Sequence, residues 1–225
     1  MIRRILPLAA VVATGLIVSP VRADAMVPGV PPSGHQEFGI FRDGEEIGRH
    51  VSEFIRSGNL LTVRTHVVIE VKVLMLTAFH FDMDTEEQWV DGQLVALRTR
   101  ADDDGRRRAL DARRDDGAQP EILRISYNGH PSTIRAGVLP SSLWNPATIT
   151  QSELIDILNG KRRMVSVEAQ GTDTLEIGGR PVPARHYVMR GGLERELWYG
   201  LDGQLLKIGL SAEDGSQVTI VRRSL

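Results

Sequence analysis

The 225-residue chain contains no cysteine, so disulfides and thiol chemistry play no part in it. This absence excludes a cysteine nucleophile and a membrane anchor attached to an N-terminal cysteine. The chain also lacks an excess of charge of either sign, since its formal net charge is −2. We therefore expect no general affinity for nucleic acid.

Common catalytic and cofactor-binding motifs are absent as well. The sequence has no G-x-S-x-G, no H-E-x-x-H, no P-loop and no dinucleotide-binding fingerprint after a predicted strand. We therefore expect no cofactor.

The N-terminus has the three-part layout of a secretory signal peptide. Arg3 and Arg4 precede an apolar run from Ile5 to Val18, and small residues follow up to Ala23 and Ala25. Cleavage near Ala23 or Ala25 would release a periplasmic or secreted protein, and an uncleaved signal anchor is the alternative. No later apolar run reaches membrane length, so we expect no stable membrane insertion after cleavage.

The rest of the chain is predicted to be one domain. Residues 1–25 are the signal peptide, residues 26–36 form a flexible leader rich in proline and glycine, and residues 37–225 form a single β-rich domain. The sequence does not predict the oligomeric state.

The stretch from Leu61 to Met83 organises this domain. Its odd positions carry no charge, whereas its even positions include arginine, histidine, glutamate, lysine and aspartate. A two-residue period indicates β-strand with one buried face. A single strand of this length would span roughly 75 Å, so the stretch is predicted to bend, bulge or break into two strands.

Turn signals recur through the remaining sequence and predict an antiparallel meander. Asp43-Gly44 and Asp91-Gly92 are strong hairpin signals. The predicted fold class is therefore mainly all-β, an antiparallel meander forming a curved sheet, half-barrel or barrel. One short helix is predicted to pack against it, because Thr150-x-x-Glu153 has the pattern of a capping box and Asn159-Gly160 that of a helix end.

Four short patterns, in this order, resemble an uncharacterised family of exported bacterial proteins, domain of unknown function 6134. They start at Phe38 (F-x-I-x-R-D-G), Glu87 (E-x-W-x-D-G), Pro140 (P-S-S-x-W-N) and Leu197 (L-W-Y). The resemblance covers nearly all of the mature chain and implies no established activity. At the level of fold, the meander with its helix is also similar to the half-barrels of periplasmic lipoprotein carriers.

Two groups of residues are candidates for ligand binding. The first lies on the apolar face of the organising stretch, and the second lies in an irregular loop that offers hydroxyl, amide and indole groups. The candidates are Val73, Met75, Phe79, Phe81, Ser141, Ser142, Trp144 and Asn145. In the alternative interpretation, Trp144 packs against the sheet and the serines and asparagine satisfy a turn.

A metal site is a weaker hypothesis. His80, Asp82 and Asp84 share one strand face, with His66 and Glu70 upstream at the same parity. The alternation assigns this face to solvent or to the covering helix, so we expect no metal there.

The functional hypothesis that these residues favour is a non-catalytic periplasmic protein that binds or carries a hydrophobic or amphipathic envelope ligand, such as a lipid or another hydrophobic small molecule. The alternatives are a periplasmic hydrolase or metal-dependent enzyme, using His80, Asp82 or the serine pair, and a structural envelope protein that binds other proteins.

Overall fold

The described residues form fifteen β-strands and one short 3₁₀ helix. The computed structural model describes residues 27–73, 76–115, 117, 119–212 and 214–225. The strands are β1 (His35–Arg42), β2 (Glu45–Ser57), β3 (Leu60–Val73), β4 (Leu76–Val90), β5 (Gln93–Asp103), β6 (Arg106–Arg114), β7 (Ile122–Tyr127), β8 (His130–Arg135), β9 (Leu139–Pro140), β10 (Glu153–Ile155), β11 (Arg162–Ile177), β12 (Arg180–Gly191), β13 (Arg195–Gly200), β14 (Leu205–Ser211) and β15 (Gln217–Arg222). The 3₁₀ helix is Pro146–Thr150. Among the described residues, no helix is long and apolar enough to span a bilayer.

All fifteen strands belong to one curved sheet. The order is β8-β7-β6-β5-β4-β3-β2-β1-β15-β14-β13-β12-β11-β10-β9, and every neighbouring pair except β9 and β10 is antiparallel. The two edge strands, β8 and β9, are consecutive in the chain and separated by only three residues. The edges of the sheet therefore approach one another, as in a barrel, but no ladder of hydrogen bonds joins β8 to β9.

The turn between β10 and β11 lies beside the gap between these edges and packs against β7. Gly160 is buried there, and a Cβ atom added to it would lie 2.7 Å from Ile125 Cγ2 on β7. Ile157 packs in the same turn against the inner apolar side chains of β3 and β4. At this seam the sheet is therefore not closed by hydrogen bonds, and the turn packs against β7 instead.

The hairpin turns follow from the sequence as predicted. Both central residues have positive φ in Asp43-Gly44 and in Asp91-Gly92. This geometry matches type I′ turns, whose twist suits two-residue hairpins.

The organising stretch breaks into two strands, as its length requires. β3 and β4 pair with each other from Leu60 and Val90 to Val73 and Leu76, with a bulge at Val71/Lys72. Leu61, Val63 and Val67 are buried on the inner face, which confirms the predicted alternation.

The prediction of an amphipathic helix after Thr150 is wrong. Residues Glu153–Ile155 form strand β10, and Leu154 and Ile155 are both fully buried in separate apolar clusters. Neighbouring side chains of a strand point to opposite faces, so β10 can bury Leu154 and Ile155 on two sides. A short surface helix would bury only one face. Asp156 then accepts hydrogen bonds from the Leu158 N–H and the Asn159 amide, which stabilises a turn instead.

The segment for which the sequence predicts a leader lies across one end of the barrel. Val27 and Val30 pack against the cluster that contains Trp144. Gly34 O accepts a hydrogen bond from Phe54 N at 2.8 Å, and Gln36 Nε2 donates to Gly29 O. This segment thus contributes apolar side chains and backbone groups to the packed end.

A row of polar side chains crosses the inner face of the barrel. Ser52, Thr65, Thr85 and Thr99 stand directly opposite one another on strands β2 to β5, and all are buried. Ser52 Oγ and Thr65 Oγ1 are 2.9 Å apart, and the two hydroxyl oxygens of Thr85 and Thr99 are 3.4 Å apart. Hydrogen bonding within the row satisfies groups that would otherwise be costly to bury.

His50 extends this row on β2. Its Nε2 lies 3.1 Å from Ser52 Oγ, and its ring packs on Phe38 with the centroids 5.1 Å apart. Burial lowers the pKa of His50 to about 4, because the imidazolium would lose its hydration there. His50 is therefore neutral in the folded protein at pH 7.

We expect this histidine to make folding stability pH-dependent. An unfolded histidine has a pKa near 6.5, so protons bind the unfolded chain first as the pH falls. The free energy of unfolding should be level above about pH 7 and should decline between pH 6.5 and pH 4, by up to about 3 kcal/mol from this group. Urea unfolding at a series of pH values between 4 and 8 measures this decline in the free energy of unfolding. His50→Gln should remove this part of the decline. His130→Gln, at an exposed position, is the control and should keep it. If His50→Gln and the wild type show the same dependence of stability on pH, His50 is not the source of the decline.

Candidate functional site

A buried carboxylate lies at the centre of the candidate site. Glu87 on β4 is 1% exposed, and its Oε2 accepts hydrogen bonds from the indole N–H groups of Trp89 and Trp144, each at 2.9 Å. The Ser142 hydroxyl also hydrogen-bonds to this carboxyl group. Two distant segments, strand β4 and the loop after β9, are therefore joined through one side chain.

The alternation of β4 places Glu87 and Trp89 together. They are two residues apart in a strand, so both side chains point to the same face, which is the inside of the barrel. The cross-strand neighbours of Glu87 are Val63 and Leu97, both of them buried and apolar. No cation among the described residues forms an ion pair with this carboxylate.

The electrostatics of Glu87 follow from this apolar setting. Burial raises the pKa of Glu87, because the charged form loses its hydration, while the hydrogen bonds from Ser142 and the two indoles act in the opposite direction. The three donors satisfy the acceptors that burial would otherwise leave unpaired.

The loop that supplies Ser142 and Trp144 is held by its own hydrogen bonds. Leu143 has a φ of 66°, and its carbonyl accepts a hydrogen bond from Tyr199 Oη at 2.7 Å. Asn145 Oδ1 accepts from Ala147 N and begins the 3₁₀ helix. These bonds fix the direction in which Trp144 enters the barrel.

Aromatic packing completes the cluster. The ring of Trp144 meets those of Trp89 and Phe54 edge to face, with centroids 5.4 Å apart in both pairs. Such arrangements suit the aromatic quadrupole and add to the area that is buried.

A small pocket of about 210 Å³ opens beside this cluster at the end of the barrel. Its walls are mostly apolar, and they include Trp89, Trp144, Leu60 and Leu61. Asn145 and Asp91 contribute polar atoms. The pocket thus offers an apolar surface, two indole rings and a few polar groups.

The predicted ligand-binding residues fall into two separate places. Trp144 and Asn145 line the pocket, whereas Phe81 packs with Val67 and Met83 towards the far end of β4. Phe81 and Trp89 are eight residues apart, or about 27 Å along a strand. The partly buried Phe79 is farther still, Val73 is described only by its backbone pairing, and Met75 lies outside the described residues. The structure therefore does not gather the predicted set into one site.

The two serines have structural partners. Ile157 N donates to Ser141 Oγ at 3.3 Å, and Ser142 is bonded to Glu87. Ser141 therefore accepts a backbone N–H, and Ser142 is one of the donors around the buried carboxyl group of Glu87.

Apart from Glu87, the described charged side chains of β3 and β4 lie on the outer face. His66 Nδ1 is 2.9 Å from Asp84 Oδ1 and 4.0 Å from Asp82 Oδ1, and these three residues could supply nitrogen and oxygen ligands to a divalent metal. His80 instead lies 4.0 Å from Glu70. All of these side chains are partly or fully exposed, which is also common for ion pairs without a metal.

Sequence reasoning missed Glu87 as a site residue. The signal was available, because Glu87 continues the inward-facing odd positions of the organising stretch beyond Met83. A charged residue at a predicted inward position requires a partner, and the two tryptophans provide it.

Comparison with known proteins supports the fold. A crystal structure of a beta-barrel-like protein of domain of unknown function DUF1849 from Brucella abortus is similar with a TM-score of 0.61. The sequences are 11% identical, and the similarity covers 84% of this chain and 95% of the other. This likeness concerns the barrel-like fold alone. No curated protein matches the chain.

The family comparison covers most of the chain. Residues 38–223 match the family described as domain of unknown function (DUF6134), and they include all four sequence patterns noted above as well as Glu87, Trp89, Ser142 and Trp144. The chain belongs to the DUF6134 family.

Proposed function

We propose that the protein is a non-catalytic binding protein that holds an apolar or amphipathic small molecule at the end of its barrel. The pocket beside Trp89 and Trp144 carries this proposal, because it combines apolar walls, small exposed parts of two indoles and a few polar residues. The polar groups would orient the ligand, and the apolar walls would supply affinity.

The size of the pocket limits what it can enclose. Its volume of about 210 Å³ is smaller than the roughly 300–1,000 Å³ typical of sites for drug-sized ligands. The proposed ligand therefore inserts only a ring or the end of an acyl chain, and the remainder stays outside. This mode of binding differs from that of a carrier that encloses a whole lipid inside its barrel. In the present protein, packed side chains fill the inner face.

The rigid position of the indoles favours binding over catalysis. Trp89 and Trp144 are fixed by Glu87, so the small parts of the indoles that reach the pocket are preformed, and binding costs them little conformational entropy. Ser141 and Ser142 are engaged in structural hydrogen bonds beside the pocket rather than directed at it.

Filling the pocket should abolish binding of an apolar probe. We expect N-phenyl-1-naphthylamine to bind the wild-type protein at one site, with energy transfer from tryptophan to the probe. Leu60→Trp places a larger side chain in the pocket wall and should weaken probe binding at least fivefold in a fluorescence titration. Ile55→Trp is the matched control, because Ile55 is 45% exposed and outside the pocket, so its variant should bind like the wild type. Equal binding by both variants, or no saturable binding by the wild type, would refute the pocket as a ligand site.

The proposed place of action is the periplasm or the exterior of the cell. The support is the basic, apolar and small-residue order of the first 25 residues. Intact mass measurement of protein recovered from the periplasm should give a chain beginning at Asp24 or Met26. A mass that retains Met1 through Ala23 would contradict cleavage.

A further inference from the structure

Within the part of the chain that the structure describes, strand β8 has one unpaired backbone edge. Its pairing partner is β7, and its other side faces the seam beside the turn between β10 and β11. Five of its six residues are exposed, the exception being Ile134. Such an edge is a template for one more strand.

The direction of each backbone group on β8 follows from one hydrogen bond. Ala136 N donates to Glu121 O at 2.6 Å, on the β7 side. Backbone groups of an antiparallel strand alternate between its two sides, so even-numbered residues face β7 and odd-numbered residues face the seam. Pro131, which has no N–H to give β7, fits this alternation. Thr133 and Arg135 therefore direct both N–H and C=O into the seam.

An open groove of about 810 Å³ runs along this edge. β8 forms one wall, and residues 159–162 of the turn form the other. A strand of six residues, about 20 Å long, matches the length of β8.

The groove lining carries more cations than anions, with Arg135, Lys161 and Arg162 against Glu121, and this excess favours an acidic partner. Arg135 and Arg162 share the carboxylate of Glu153. Arg135 Nη2 lies 3.3 Å from its Oε1, and Arg162 Nη1 lies 3.3 Å from its Oε2. Lys161 lies on the groove and has no ion-pair partner within the described part of the chain. A second copy of the protein would bring the same excess of cations into the seam, and this like-charge excess disfavours pairing between two β8 edges.

We propose that the seam binds an extended acidic peptide of a partner protein, which adds a strand to β8. The peptide backbone pairs with Thr133 and Arg135, and a carboxylate on the peptide meets Lys161. This is the strand-addition mode of peptide recognition, in which backbone bonds give affinity and side-chain contacts give selectivity. The surface is distinct from the indole pocket, so neither proposal depends on the other.

Hydrogen exchange provides the most specific test. The probe is an alternating threonine–valine octapeptide with two glutamates, and its control carries lysines in place of the glutamates. On adding the acidic peptide to the full-length mature protein, the amides of Thr133 and Arg135 should exchange at least tenfold more slowly by NMR. The amide of Ile134 already faces β7 and should change little. The proposal would be overturned if the peptide bound saturably but did not slow exchange at Thr133 and Arg135 more than at Ile134. It would also be overturned if millimolar peptide had no saturable effect on exchange.

Two substitutions separate backbone pairing from charge. Thr133→Pro removes a seam-facing N–H that β7 does not use, and it should weaken binding at least tenfold in fluorescence anisotropy. Thr133→Val is the matched control and should bind within twofold of the wild type. Lys161→Glu should reverse the preference between the acidic and lysine peptides. Binding that Thr133→Pro leaves intact would identify general charge attraction and would also overturn strand addition.

Discussion

A single carboxylate oxygen, Oε2 of Glu87, joins the two segments on which one end of the barrel depends. It accepts the indole N–H groups of Trp89, on strand β4, and of Trp144, in the loop after β9. These are buried donors in an apolar cluster, and either would be costly to leave without an acceptor. The carboxylate is costly to bury as well, and its hydrogen bonds offset that cost.

The same interaction connects closure of the sheet to the proposed binding site. The loop that carries Trp144 begins where the two sheet edges approach, and it continues into β10 and the turn beside the seam. With Trp144 held against Glu87, the end pocket has fixed indole walls and the turn lies beside the seam. The two proposed binding surfaces, the pocket and the β8 groove, therefore flank one fixed segment.

Sequence patterns predicted the architecture well where local rules decide it. The alternation from Leu61 to Met83 and the Asp-Gly turns give the strands and hairpins observed. The segment after Thr150 departs from its local helix signals, because burial of Leu154 and Ile155 on two sides outweighs them. For the site, the pattern Glu-x-Trp occurs twice: Glu87 and Trp89 point into the barrel, whereas Trp198 stacks on His186 next to the exposed Glu196. Sequence gave no means of telling these faces apart or of pairing Trp89 with a tryptophan 55 positions later.

The unfolding free energies of two Glu87 variants test the central role of this carboxylate most directly. Glu87→Gln keeps an oxygen acceptor for the indoles without a buried charge, and we expect its stability at pH 7 to lie within about 1 kcal/mol of the wild type. Glu87→Leu has a similar size but leaves two buried N–H donors unsatisfied, and we expect a loss of about 2–4 kcal/mol. Chemical denaturation at pH 7 measures both free energies of unfolding. If both variants lose the same stability, or if Glu87→Leu is the more stable, the shared acceptor does not hold this end of the barrel together.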